Sequence, residues 1–382
     1  MIKSERGSVT VFTLSACLLM SFILVGIFMG SQNKVINQKK QLKSIENSYK
    51  ENSDDEKMAQ LYEEKMKNDS NNIEADLKIT TAEELKNFAE QVNSGTTFEG
   101  KTVVLMNDVD LASVCSSTMG SWTPIGTETN RFKGTFDGNY HIINNLYISL
   151  IESNCGLFRK NEGIIKNLKI KDSFVETIGN EEVTLQNHGT IAAFNYGKIV
   201  NCSVINGSIR NGTHQSAILG GIVGVNSGEI TNCCNGSSFD GFACIGGIAS
   251  KNETEGIIEN CYNTGKTSST FADIGGIVDQ NKGKVNNCYS TAILSPGYSN
   301  IGSVVGFNMG TVSNCYYLNS DVQGIGGEYS QSLGHSTSSD VKGQTEYKSE
   351  QQLKSLYETL GTAFKADYDT PINNGYPILS WQ

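Results

Sequence analysis

One phrase returns six times between residues 163 and 316, and it leaves few folds open. It reads Gly-Ile-Ile-Lys-Asn-Leu from Gly163, Gly-Lys-Ile-Val-Asn-Cys from Gly197 and Gly-Glu-Ile-Thr-Asn-Cys from Gly228. It continues as Gly-Ile-Ile-Glu-Asn-Cys-Tyr from Gly256, Gly-Lys-Val-Asn-Asn-Cys-Tyr from Gly283 and Gly-Thr-Val-Ser-Asn-Cys-Tyr from Gly310. Successive starts are 34, 31, 28, 27 and 27 residues apart. A second phrase runs between them: Leu219-Gly220-Gly221-Ile222-Val223-Gly224, Ile245 to Ser250, Ile274 to Asp279 and Ile301 to Gly306. Two residues after each comes an Asn: Asn226, Asn252, Asn281 and Asn308. Degenerate earlier copies end at Asn195 and Asn161.

Each repeat holds short β-branched runs punctuated by Gly and Asn, with no room for a helix of about ten residues or more. Such a unit cannot bury its apolar side alone, but stacked units can. The fold class expected is mainly β, a right-handed parallel β-helix (solenoid) with helical caps. Each coil would bond to the next at about 4.8 Å. A repeat near 27 residues suits a three-sided coil with tight corners. Gly is expected at those corners because it tolerates positive φ. Period-2 alternation would put Ile230 and Asn232 on one face, and Thr231 and Cys233 on the other. The 40 Gly and 38 Asn against 4 Pro fit a chain built from many turns.

Two files of like residues follow from stacking. Asn201, Asn232, Asn260, Asn287 and Asn314 share one position, where amides can bond along the axis. Cys202, Cys233, Cys261, Cys288 and Cys315 share the next. Four metal ligands cannot converge from one straight file, and there is no Cys-x-x-Cys pair. In-register Cβ atoms near 4.8 Å are too far apart for the roughly 3.5–4.5 Å of a disulfide. The file therefore reads as small buried hydrophobes. Of the adjacent Cys233 and Cys234, one should point in and one out.

The chain before the repeats divides by composition. Residues 1–8 form a short leader with Lys3 and Arg6, and residues 9–30 carry no charge, the length of a membrane-spanning helix. The positive-inside rule places the leader in the cytoplasm, although Lys34, Lys39, Lys40 and Lys43 on the far side blunt the asymmetry. A cleaved secretory signal would need small residues before the cut, and Phe28-Met29-Gly30 does not supply them. Residues 31–76 read as a helical stalk, with Val35, Leu42, Ile45 and Tyr49 at heptad-like spacing. Residues 77–150 read as an N-terminal cap and first coils, residues 151–319 as the repeat solenoid, and residues 320–382 as a loose loop and C-terminal cap. Thr81 to Glu84 and Ser349 to Gln352 are capping-box patterns opening amphipathic helices.

Arg6-Gly7-Ser8-Val9-Thr10-Val11-Phe12 resembles the leader of type IV prepilin-like and TadE-like proteins. That resemblance implies processing between Gly7 and Ser8 and a pilus-like assembly. The family pattern has Glu five residues into the mature chain, where this sequence has Phe12. A processed chain and a plain uncleaved anchor both stay open. The region from about residue 77 onward resembles the GLUG-repeat proteins of bacterial cell surfaces. The residues that carry the resemblance are Thr81 to Leu85, Asp108 to Leu111, Trp122 to Gly126, Gly134 to Gly138, the Gly-Gly-Ile-Val-Gly repeats and the closing Asn374-Gly375-Tyr376-Pro377-Ile378-Leu379-Ser380-Trp381. It implies a surface-exposed solenoid, often part of adhesins, and no shared catalytic residue.

Chemistry is sparse. His141, His188, His214 and His335 lack ligand spacing, and the His-Glu-x-x-His helix of GLUG-bearing metallopeptidases is missing. A polysaccharide lyase or hydrolase on a β-helix would need convergent carboxylates. The candidates are Asp273 and Asp279, beside Glu253 and Glu255, with Lys251 and Lys282 near corresponding corners. Net charge is −10, which argues against nucleic acid as a partner. The reading is a single-pass membrane protein with its C-terminal domain on the cell surface. It would bind glycan or protein or self-associate through the stalk, with no cofactor, no metal and no catalytic residue. A glycan-active enzyme and a passive spacer are the alternatives.

Overall fold

The computed structural model describes residues 74–150, 154–178, 186–211, 217–241, 243–269, 273–295, 300–330, 335–337, 345–368 and 371–382. The leader with Gly7 and Ser8, the apolar segment and most of the stalk lie outside these residues. Contacts gather Glu74–Leu379 into one unit, most of it made of the repeats.

The short β-runs form a parallel β-solenoid. A typical coil has four strands, each in its own sheet: Glu229–Thr231, Cys234–Gly241, Ala243–Gly246 and Ala249–Asn252. The next coil begins its first strand at Ile257, directly beside Glu229. Nine strands stack in the first sheet, from Leu77–Ile79 to Thr311–Ser313. Register is strict: Ile165, Ile199, Ile230, Ile258, Val285 and Val312 fall in one file, all buried. One continuous core runs from Ile79 near the N-terminal end to Ile325. Each fully buried aliphatic side chain in it contributes about 2 kcal/mol.

The corners differ from the sequence expectation. Residues with left-handed backbone at the turn into the second sheet are Asn167, Asn201, Asn232, Asn260, Asn287 and Asn314, with φ between 50° and 54°. Asn tolerates this region better than other side-chain-bearing residues. The turn also breaks the alternation. Ile230 and Cys233 both point into the core, with Thr231 and Asn232 half-buried between them.

The repeat glycines serve close approach rather than positive φ. A Cβ on Gly197 would lie 2.0 Å from the Gly163 carbonyl oxygen, and one on Gly228 would lie 2.1 Å from that of Gly197. Those carbonyls accept the hydrogen bonds joining coils: Lys198 N–H donates to Gly163 O and Glu229 N–H to Gly197 O, each at 2.9 Å.

The two ends are finished differently. At the N-terminal end, a helix spans Ala82–Asn93, with Thr81 and Glu84 in a reciprocal capping box. It buries Leu85, Phe88, Ala89 and Val92, and Phe88 packs on Phe98, Phe132 and Phe136 with centroids 5.0–5.8 Å apart. The helix thus covers the core of the first coils. The C-terminal elements, Glu350–Lys354, Tyr357–Leu360 and the antiparallel pair Phe364–Lys365 with Ile378–Leu379, lie elsewhere. Asn287 Nδ2 donates to Leu360 O at 2.9 Å, Asn373 Nδ2 donates to the Tyr289 hydroxyl at 2.7 Å, and Phe364 packs on the Tyr289 ring. The contacts fall on the flank of the solenoid, where Tyr289 turns outward from the second sheet. Part of the segment expected as a loose loop is a strand: Ile325–Ser330 extends the fourth sheet beside Val305–Asn308.

Candidate functional site

Parallel, in-register stacking makes files of like positions, so candidate chemistry is best sought where a file is broken. The most regular file is internal. Asn161, Asn195, Asn226, Asn252, Asn281 and Asn308 succeed one another along the axis, all buried. Each Nδ2 donates to the Oδ1 of the next Asn, at 2.8–2.9 Å through all five steps. A second amide hydrogen goes to a glycine carbonyl: Asn226 Nδ2 to Gly228 O at 3.0 Å, and Asn252 Nδ2 to Gly256 O at 3.1 Å. A buried amide left unpaired would cost about 1–3 kcal/mol, so pairing throughout is what lets this polar line lie inside. The sequence signal for this file was the Asn that ends every copy of the second phrase, degenerate copies included.

The corner Asn file is less continuous. Asn201 bonds Asn167 at 3.1 Å, Asn232 bonds Asn201 at 3.2 Å, and Asn287 bonds Asn260 at 2.7 Å. Asn314 turns instead to Asn286 at 3.2 Å. The five file cysteines are buried and unbridged. Each thiol donates to the carbonyl two residues earlier, across the Asn corner: Cys233 to Thr231 O at 3.2 Å and Cys288 to Asn286 O at 3.1 Å. Burial pushes the Cys233, Cys288 and Cys315 thiols well above their ordinary range, which keeps them protonated and unreactive. Cys233 points into the core, and Cys234 points away from it, beside Tyr262 in the next coil.

Of the candidate carboxylates, Asp273 and Asp279 lie close enough to interact, with Lys251 near them, and Glu253, Asp273 and Asp279 are each engaged locally. Glu253 pairs with Lys282 at 2.9 Å. Asp273 Oδ1 accepts from Asn300 N–H at 2.9 Å and Nδ2 at 3.2 Å. Asp279 is 2% exposed, where other coils carry Gly224, Ser250 or Gly306. Its Oδ2 accepts from Ser250 Oγ at 3.4 Å, and its Oδ1 has no hydrogen-bond partner. Burial, then the nearby Asp273, raises its carboxyl well above the usual range, with Lys251 opposing. A sealed, protonated Asp279 cannot reach a polysaccharide. Among the described residues no group of three or more His, Cys, Asp or Glu could hold a metal ion.

A second break is His188, buried where other coils place Leu219, Ile245 and Ile274. Neither ring nitrogen has a hydrogen-bond partner, and burial lowers its pKa to about 3. It is a neutral core imidazole. Gln186, two residues before on the same strand, is also fully buried, with neither amide atom hydrogen-bonded.

The outward face of the first sheet is mostly polar, interrupted by Ile164, Val200 and Ile257, and several of its polar groups pair along the axis. Lys166 meets Asp137 at 3.2 Å, Lys198 meets Glu229 at 2.8 Å, Asn286 donates to Glu259 at 2.7 Å and Ser313 to Asn286 at 2.8 Å. Residues 243–269, one coil of this stack, match the family model of the GLUG motif. The chain carries the GLUG motif. A GLUG-bearing chain of this kind is 31% identical over 129 residues to a protein of Evansella cellulosilytica provisionally named a Gly-rich membrane protein. That match spans 33% of this chain and 14% of the relative's length. Among solved structures, a chain from Bacteroides ovatus provisionally described as an immunoglobulin A1 protease superposes with a TM-score of 0.58 at 22% identity. The superposition covers 80% of this GLUG chain and 92% of that one, and it establishes a shared fold. No helix among the described residues is long and apolar enough to cross a membrane.

Proposed function

We propose that this chain is a membrane-anchored, surface-displayed GLUG solenoid that binds an extended glycan and performs no catalysis. The observation that carries this is the paired polar face of the first sheet. In-register coils repeat hydrogen-bonding groups along a straight line at nearly constant spacing, and an extended polymer with a repeating unit fits such a line. Sealing of Asp279 and the commitment of Asp273 to Asn300 also weigh against glycan cleavage. The anchor is the apolar segment 9–30, in keeping with the relative named a membrane protein.

The test is incubation of the purified chain with acidic and neutral polysaccharides, followed by both co-sedimentation and a reducing-end assay. Retention of one polymer without new ends supports binding. New reducing ends overturn the non-catalytic reading. For the anchor, mass spectrometry of the cell-derived N-terminus separates pilin-like processing, which starts the chain at Ser8, from an uncleaved anchor starting at Met1.

A further inference from the structure

Where the third and fourth sheets begin, the chain turns sharply from Asn154–Cys155 into Phe158–Asn161. Four side chains from three separate segments meet at this turn. Lys160 is 9% exposed, with Nζ 5.3 Å from the centroid of the Phe194 ring. Its Nζ contacts Oε2 of Glu128. The other oxygen of that carboxylate, Oε1, accepts from Asn154 Nδ2 at 3.2 Å. Asn187, 6% exposed, donates its Nδ2 to Asn154 Oδ1 at 2.8 Å. One carboxylate therefore holds an amine and the nitrogen of a carboxamide side by side, while a fourth group polarises the carboxamide oxygen. These are the parts an acyl transfer needs: a nucleophile, a proton carrier touching both nucleophile and leaving group, and a donor at the oxygen that gains charge. Their preassembly in one folded chain supplies the proximity that makes amide exchange accessible without an external enzyme.

We propose that Lys160 and Asn154 become joined by an intramolecular amide bond, with Glu128 as the proton carrier. The Lys160 ammonium passes a proton to the Glu128 carboxylate. The freed Nζ lone pair attacks Cγ of Asn154, and charge collects on Oδ1 against the Asn187 N–H. Collapse breaks the Cγ–Nδ2 bond. Nδ2 takes the proton from Glu128 and leaves as ammonia, while the attacking nitrogen returns its surplus proton to Glu128, so no oxidant, metal or cofactor enters. The product ties the third sheet to the fourth at the N-terminal end of both. That end is where the Cys155 and Phe158 strands have few coils before them to hold them in register.

The bond removes one ammonia, about 17 Da. The test is peptide mass mapping of the full chain after folding and trypsin digestion. The expected product is residues 134–159 joined to residues 160–166, one ammonia lighter than the two peptides together, because trypsin no longer cuts after an acylated Lys160. E128Q and K160R are expected to give the unlinked peptides while keeping the circular dichroism of the wild type. Cleavage after Lys160 in the folded wild-type protein overturns the proposal. So does a linked peptide that persists undiminished in E128Q, since Glu128 would then not be the proton carrier. If E128Q fails to fold, N187A, which leaves all three reacting groups in place, is expected to slow appearance of the linked peptide during refolding.

Discussion

Two files of asparagine run the length of this solenoid at the same spacing, yet they use different parts of the residue. In the inner file, from Asn161 to Asn308, the side-chain amide is the structural element. From Asn161 to Asn252 each amide bonds the next coil and a glycine carbonyl of a turn; Asn281 bonds Asn308 and Thr311 O. In the corner file, from Asn167 to Asn314, the backbone is the element. Positive φ turns the chain from the first sheet into the second, and the side-chain bonds vary from 2.7 to 3.2 Å, with Asn314 leaving the file for Asn286. Identical periodicity in sequence can thus mark a hydrogen-bond requirement or a torsion requirement.

Substitution breaks the two files differently. Asn226→Leu should be the most damaging, by about 3–5 kcal/mol, because it strands the amides of Asn195 and Asn252 inside and forces a branched chain into a dense line. Chemical denaturation would read this, and a loss below about 1 kcal/mol would refute the role given to the inner file.

The interior breaks sharpen the contrast through pH. His188 has its pKa lowered in the fold to about 3, so the unfolded chain binds the proton first as pH falls. Stability contributed by neutral His188 is present above about pH 6.5 and is lost on acidification, roughly 3 kcal/mol by pH 4. His188→Leu should flatten the melting-temperature profile between pH 7 and pH 4 by a corresponding amount. Asp279 has the opposite sign. Its folded pKa is raised, so its stability is present below the unfolded carboxylate range and falls as pH rises. Asp279→Asn should therefore raise the melting temperature at pH 8 more than at pH 4.

The smallest effects belong to the corner. Asn232→Gly keeps the left-handed turn and should cost under about 1 kcal/mol, whereas Asn232→Ala should cost about 1–2 kcal/mol. Equal losses for the two would mean that the side-chain bond to Asn201, not the torsion, sets the corner.

The stacking of coils was legible because the phrases from Gly197 to Cys315 repeat too closely to hide. What periodicity could not assign was the local geometry inside each coil. Asn232 looked like a continuation of the strand that holds Ile230, because period-2 counting does not register a left-handed residue. Gly228 looked like a corner, because a glycine required by a neighbouring coil's carbonyl and one required by its own φ are written with the same letter. Asp279 showed as a departure from the repeat, and the structure adds that it is buried against Ser250. The Lys160, Glu128, Asn154 and Asn187 cluster left no motif, since its members come from the degenerate first coils and meet only through register.

The Asn file and the glycine carbonyls beside it connect like with like, so neither carries a bond specific to one coil's place in the stack. Length then becomes a quantity the gene can change by whole numbers. Excising residues 256–282 would bring Asn308 to the place of Asn281 against Asn252, and Lys284 to the Gly228 carbonyl. The solenoid would be one step shorter, with the inner Asn file and its backbone bonds still satisfied. A protein built this way can set its reach by unequal crossing-over between repeats, independently of whatever its faces hold.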